Sequence, residues 1–387
     1  MPLGRKLRYG MVGGGPGAFI GAVHRMAAAL DGTMELVAGA FSSDAARSRE
    51  QGAELGLGSD RVYGSFSEMA AAEAQRPDGI DFVSIVTPNH MHFPVAKVFL
   101  EHGFHVVCDK PMTNTLADAE ELCHLVAGQD CVFALTHNYT GYPMVKQART
   151  MVADGKIGTV RKIIVEYPQG WLAKPIEREG QKQASWRTDP KRAGAGALGD
   201  IGSHAENLAR YVTGLELASM CADVTTFVEG RPIDDDVSIL VHYRGGARGV
   251  LHASQVSIGE ENNLNIRVHG TEGSLQWFQE HPNWLHYRSA SRPEQVYKRG
   301  NDYLSSSAQH GSRLPSGHPE AFLEAFANIY LNAGRTIAAR LCGDIPAVHD
   351  LDFPTVQDGA RGVHFILTAL RSGRERAWVD AAYTPPA

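Results

Sequence analysis

Hydrophobic positions in the first third of the chain switch between two periods. Leu7–Val12 reads as a buried strand; Ile20, Val23, Ala27 and Leu30 then recur at helical spacing, and Asp31-Gly32 stops that helix. The alternation continues, with strands predicted at Glu35–Phe41, Asp81–Val86, His105–Cys108 and Cys131–Thr136. Between them the pattern predicts helices over Asp44–Leu55, His90–Leu100 and Thr115–Ala127, the last opened by Thr115 and Asp118 at capping-box spacing. Strands separated by helices of this length need crossover connections, which build a parallel sheet.

The pattern changes after about residue 140. A helix predicted over Tyr142–Asp154 is followed by strand-like segments with little helix between them: Lys162–Tyr167, Met220–Val228, Val237–Tyr243, Gly249–Val256, Asn263–His269 and Gly273–Phe278. Adjacent strands of this kind indicate a mostly antiparallel sheet. Residues 170–198 read as a long polar connection, and loops of that length are uncommon unless functional. Residues 288–317 are a second polar stretch; Pro319–Cys342 and Val356–Leu370 read as closing helices. The expected fold class is α/β: a doubly wound parallel sheet over residues 1–140, then an α+β domain with an open, mostly antiparallel sheet over 141–387.

Composition narrows the partners. A net charge of -6 leaves no basic footprint for nucleic acid. No apolar run approaches the ~18 residues that a membrane span needs. The five cysteines are dispersed, odd in number and without a C-x-x-C pair, so neither a disulfide framework nor a cysteine zinc site is expected. The His90/His92 and His102/His105 pairs lack an acid or cysteine at ligand spacing, so no metal is expected. Met1–Arg8 has no apolar core of a secretory leader, and the expected location is the cytoplasm.

Gly13-Gly14-Gly15-Pro16-Gly17-Ala18 lies between the first strand and the first helix and fits G-x-G-x-x-[GA], with Ala18 third. Such a turn lets backbone N–H groups approach a pyrophosphate at a helix N-terminus, the Rossmann fingerprint; Gly21 is an alternative third glycine. At the end of the second strand an acid would read the ribose. The chain has Ser42 and Ser43 there, with Asp44 next and Arg47 one turn on, so the cofactor is NAD or NADP, with NAD preferred. Ser43 or Asp44 could equally be a helix N-cap.

Three further motifs follow in order: Thr87-Pro88-Asn89-His90-Met91-His92, then Cys108-Asp109-Lys110-Pro111, then Gly194-Ala195-Gly196-Ala197-Leu198-Gly199-Asp200-Ile201-Gly202-Ser203-His204. With the glycine turn, they resemble the Gfo/Idh/MocA oxidoreductases, whose motifs read T-P-N-x-x-H, E-K-P and G-G-G-x-x-x-D-x-x-x-H. The likeness runs from about residue 7 to 372. Asp109 departs from it, standing one methylene short of the family's Glu.

The resemblance implies roles for individual residues. Lys110 contacts nicotinamide ribose and substrate; Asp200 and His204 stand at the substrate carbon; Thr87, Asn89 and His92 belong to the dinucleotide-contacting loop; Trp186 and Arg187 lie near the nicotinamide. It further implies an NAD(P)-dependent dehydrogenase of a cyclic polyol or sugar, an inositol or a pyranoside at C3, and a homodimer or homotetramer. Imidazole chemistry suits this, because an unperturbed pKa near ~6.5 matches a base working near neutrality. Asp200, four residues before His204, would orient it, and Lys110 would polarise the hydroxyl. Ser203 and Glu206 could instead form a capping box that starts the helix at Ser203. His137-Asn138-Tyr139, at the end of a predicted strand, and His318, in Gly317-His318-Pro319-Glu320 that opens a helix, could shape the substrate pocket, whereas Tyr167 and Trp171 read as packing. Two alternatives share the fold: a glycoside-cleaving enzyme using transient oxidation, and a non-catalytic dinucleotide sensor, against which the presence of Lys110, Asp200 and His204 counts.

Overall fold

The computed structural model describes residues 3–387, whose contacts divide into two compact units. One is the chain up to Thr136 with Phe326–Ala360 and Pro385–Ala387; the other is His137–Ala325 with Arg361–Thr384.

The first unit follows the predicted alternation: β1 (Leu7–Gly13), α1 (Phe19–Leu30), β2 (Met34–Ala40), α2 (Ala45–Glu54), α3 (Phe66–Ala74), β3 (Phe82–Val86), α4 (His92–Glu101), β4 (His105–Cys108), α5 (Leu116–Gln129) and β5 (Phe133–Leu135). The five strands form one parallel sheet in the order β2-β1-β3-β4-β5. Every residue of β3, β4 and β5 is buried, as a sheet covered on both faces requires. The returning segment adds Phe326, Ile329 and Tyr330 to this core. There the Tyr330 hydroxyl lies 2.6 Å from His24 Nδ1 and 2.8 Å from Ser84 Oγ. Burial pushes the His24 pKa down to about 4, so the ring is a neutral core group.

The second unit contains α6 (Pro143–Ala153), β6 (Val160–Pro168), α7 (Lys182–Arg187), α8 (Pro190–Ala193), α9 (Ser203–Thr213), β7 (Leu217–Thr225), β8 (Asp236–Tyr243), β9 (Arg248–Ser254), β10 (Asn265–Gly270), β11 (Gly273–Phe278), β12 (Trp284–Ser289), β13 (Arg292–Lys298) and α10 (Ser306–His310). Helix α11 (Phe322–Cys342) starts in it, and α12 (Val356–Glu375) and β14 (Val379–Asp380) end in it. Nine strands make one open sheet, ordered β13-β12-β11-β10-β6-β9-β8-β7-β14 and antiparallel except for the β6–β9 pair. Side chains alternate across it: Val237, Ile239 and Val241 of β8 are buried, while Ser238 and Leu240 face out. The inward face packs with α6 and α9 in a core around Trp277, Tyr142 and Leu208.

Several expectations need correction. The polar stretch 288–317 holds an edge strand and a helix, and 170–198 contains α7 and α8. No helix opens at Gly317–Glu320. The Glu320 carboxylate is turned inward to Arg299 Nη1 at 2.8 Å and to the N–H groups of Arg313 and Leu314, and α11 begins at Phe322. Among the described residues, no helix is long and apolar enough to cross a membrane.

Candidate active site

In the first unit, Gly13, Gly14 and Gly17 all take positive φ, which side-chain-bearing residues avoid. A Cβ on Gly15 would sit 2.6 Å from the Phe41 carbonyl oxygen, and one on Gly13 would sit 2.8 Å from that of Val86. The turn is therefore pressed against the ends of β2 and β3. Gly14 packs on Gly21, where a Cβ would meet Gly14 Cα at 2.5 Å; Gly21 thus fills the place of close helix–strand packing, while Ala18 is the N-cap of α1 and closes a turn onto the Gly15 carbonyl at 3.0 Å. Helix α1 has no side-chain cap and no acid in its first turn, leaving its N-terminal dipole to an anion.

At the end of β2, Asp44 is the N-cap of α2, accepting from Ala46 N–H at 2.9 Å and Arg47 N–H at 3.2 Å; these backbone bonds hold its pKa below the usual carboxylate range. Ser42 Oγ accepts from Asp44 N–H at 3.1 Å, and Ser43 and the Arg47 side chain are exposed beside it.

The loop after β3 carries Thr87, whose buried Oγ1 has no hydrogen-bond partner, and the buried Asn89. A 3-10 turn, Asn89–Met91, precedes α4, so the helix starts at His92. His92 is fully buried, with Nδ1 2.7 Å from the Pro111 carbonyl oxygen and Nε2 2.9 Å from that of Thr87. Burial pushes its pKa down, against the pull of Asp109 and the two carbonyls. The ring straps the Thr87 loop to the Lys110 loop. After β4, Asp109 Oδ1 accepts from Lys110 N–H at 2.9 Å and Thr136 Oγ1 at 3.0 Å, and Asp109 N–H donates to Ile85 O at 3.0 Å. Lys110, half-buried, precedes a cis proline. The narrow glycine cradle, the uncapped helix and the unsatisfied Thr87 hydroxyl fit a dinucleotide.

In the second unit, a single π-helical turn, Leu198–Gly202, runs straight into α9. The capping box is not formed. Ser203 has helical φ/ψ, and its hydroxyl donates back to Gly199 O at 2.8 Å; Glu206 pairs with Arg210 at 3.1 Å instead. An N-cap would need extended backbone at Ser203, and the preceding turn denies it. Asp234, absent from the sequence reading, shapes this loop. Its carboxylate accepts from Gly196 N–H at 2.7 Å and Leu198 N–H at 2.8 Å, and a Cβ on Gly196 would sit 1.8 Å from the Asp234 carbonyl oxygen. Burial raises the Asp234 pKa, opposed by those same amides.

Asp200 Oδ2 accepts from Gln255 Nε2 at 2.8 Å and Arg187 Nε at 3.3 Å. The Arg187 guanidinium lies 4.3 Å from the Trp186 ring centroid. His204 is only 6% exposed. Tyr139 meets its ring edge-on at 4.8 Å, and Tyr167 lies at 6.2 Å. The Tyr139 and Tyr167 hydroxyls are hydrogen-bonded to each other, and Tyr167 donates to Asn262 Oδ1 at 2.8 Å, which also accepts from Gln169 Nε2. Tyr167 is thus part of the cluster around the imidazole, not only packing. Asn138 is buried with Nδ2 lacking a hydrogen-bond partner, whereas the His318 ring is exposed on its loop. Tyr167, Gln255, Asn262 and Asp234 belong to no motif; the one available signal was their place at the ends of predicted strands.

The geometry agrees with comparison to known proteins. The profile of the oxidoreductase family with NAD-binding Rossmann fold matches residues 7–168, and the Gfo/Idh/MocA C-terminal domain matches residues 145–276. An inositol dehydrogenase homologue from Azotobacter vinelandii is 37% identical in its NAD+ complex, with a TM-score of 0.94 and 98% of each chain covered; its complex with NADH and myo-inositol gives 36% and 0.92. An oxidoreductase from Sinorhizobium meliloti is 47% identical, with a TM-score of 0.87 over 97% of this chain and 99% of that one. An uncharacterized oxidoreductase of Bacillus subtilis is 34% identical over 98% of both chains. A parallel nucleotide-binding sheet, a largely antiparallel partner sheet and likeness along nearly the whole length make the chain a member of the Gfo/Idh/MocA oxidoreductases, with their NAD-binding Rossmann domain.

Proposed function

We propose that the protein oxidises a secondary hydroxyl of a cyclic polyol or sugar, an inositol or a pyranoside at C3, to a ketone. Bound NAD supplies the hydride acceptor. His204 takes the hydroxyl proton, Asp200 orients His204, and Lys110 polarises the hydroxyl and steadies the developing alkoxide. The observation that carries this reading is the setting of His204: a buried imidazole ringed by Tyr139 and Tyr167, with the amides of Asn262 and Gln169 behind them. Such groups serve a polyhydroxylated ring better than an apolar substrate. The myo-inositol complex of the Azotobacter homologue supports the substrate class.

The test is a panel of inositols, free sugars and glycosides incubated with NAD or NADP, reading reduced nicotinamide and released aglycone together. Reduced nicotinamide without aglycone is expected from inositols or pyranosides. Aglycone release without net reduction would replace this reading with glycoside cleavage. A homodimer or homotetramer formed through the open face of the nine-stranded sheet belongs to the same proposal; Leu240, exposed at mid-strand, supports it. Light scattering after size exclusion should give two or four times the 41.9 kDa chain mass.

A further inference from the structure

His137 follows the strand β5, and its Nδ1 lies 3.3 Å from Nδ1 of His204. The two rings stand edge to face, with centroids 5.2 Å apart and planes at 84°. Both are buried, His137 at 2% exposure. An Nδ1···Nδ1 contact of this length holds a single proton: one ring donates and the other must accept. If His204 donates, its Nε2 keeps the lone pair that a base requires. If His137 donates, His204 carries its proton on Nε2 and can only give it away.

We propose that His137 is a second positioning residue of His204 beside Asp200, selecting its tautomer through the Nδ1 contact and storing the proton that the reaction releases. The inference rests on His204 being the base. In the oxidising direction the substrate O–H proton moves to His204 Nε2, while the C–H bonding pair leaves as hydride to the bound nicotinamide. The His204 Nδ1 proton then shifts across the contact to His137 Nδ1. His137 becomes the imidazolium, and His204 is left neutral with Nε2–H, the form required for the reverse reduction. One proton is taken up and one is passed on, so the count closes.

Other groups around the pair favour a shared positive charge. Tyr139 and Tyr167 lie against the His204 ring, and burial pushes both phenol pKa values up, so they remain neutral. Asp200, whose charge acts on both tyrosines, brings a carboxylate to the same region, moderated by Arg187. On the far side of His137, α12 presents Gly362, where a Cβ would sit 3.9 Å from His137 Nε2. A neutral acceptor at Nδ1 stabilises the His204 imidazolium more than the neutral ring, so its removal should make His204 a weaker base.

The experiment uses the full chain labelled with [15N]histidine, comparing wild type with His137→Ala, His137→Asn and His204→Gln, the last to assign the His204 signals. Wild-type His204 is expected to carry its neutral-form proton on Nδ1. Its midpoint should fall by about one pH unit in His137→Ala and recover in His137→Asn, whose side-chain oxygen can accept. With the best substrate of the panel, the acid limb of kcat/KM should move down in pH by the same amount, and kcat should fall about tenfold. If His137→Ala unfolds, the wild-type tautomer and the Asn variant decide. An Nε2-protonated neutral His204, or an unmoved His204 titration in a folded His137 variant, overturns the inference. Full activity in His204→Ala would instead remove the base assignment on which it rests.

Discussion

In the nucleotide half the glycine turn and α1 approach backbone to backbone at Gly14 and Gly21, and Gly21→Ala tests this contact with one methyl group. The added carbon would lie 2.5 Å from Gly14 Cα, 2.9 Å from Gly14 O and 3.1 Å from Gly14 C. Carbon atoms rest at about 3.5–4.0 Å, so α1 must withdraw from the glycine turn by roughly 1 Å. Overpacking of this kind costs about 1–3 kcal/mol. Alanine returns about 1 kcal/mol through its better helix propensity. The net change in stability is therefore about 0–2 kcal/mol, and the variant should fold. Binding behaves differently. The free protein relieves the clash by letting α1 drift, but a pyrophosphate needs the turn amides and the helix N-terminus in register, so the strain returns when NAD binds. At 1.4 kcal/mol per decade, 1–3 kcal/mol weakens NAD about 5- to 150-fold. Calorimetric titration with NAD, paired with thermal unfolding, separates the two effects. A folded Gly21→Ala protein that binds NAD within about twofold of wild type would refute the role given to this contact.

Other outcomes follow from the same structure. Lys110→Ala should leave Tm unchanged, because Lys110 is half-buried on a loop, and should lower kcat about a hundredfold or more in the dehydrogenase assay. Ser42→Asp should raise the NAD/NADP preference measured as a ratio of kcat/KM values, since a carboxylate there repels a 2′-phosphate; an unchanged ratio would mean that Ser42 does not face the ribose. His24 and His105 are both held near a pKa of about 4, chiefly by burial, below the ordinary value of 6.5. The unfolded chain then binds the extra protons, so stability is full above about pH 6.5 and is lost as the pH falls toward 4, by up to about 3 kcal/mol per histidine. Denaturant melts across that range should show the decline, and His24→Gln should flatten it.

The parallel sheet was legible because its strands are short apolar runs between well-punctuated helices: Asp31-Gly32, Gly56 and Gly103 mark the stops. Helix α3 escaped notice because Phe66–Ala74 is alanine-rich with little contrast between its faces, although Ser65 caps it. The β12–β13 hairpin escaped for another reason. Nearly every residue of β13 is exposed, so no buried face imprints a period on Arg292–Lys298. Among the candidate residues, Lys110, Asp200 and His204 came from their motifs. Asp234 and the site role of Tyr167 could not, nor could the pairing of His137 with His204, because what matters about each is a partner tens of residues away, which local spacing does not encode. The π-helical turn was hidden behind a plausible capping box, since Ser203 and Glu206 have the right identities and the wrong backbone.

Asp234 has a further consequence for how the protein is made. The amides it grips belong to residues 38 and 36 positions earlier. A growing polypeptide from which Asp234 has not yet left the ribosome lacks the carboxylate that holds the 196–198 amides in place. Biosynthesis therefore completes the scaffold beneath the imidazole late, and a fragment truncated ahead of Asp234 would hold the motif in its sequence without holding its shape.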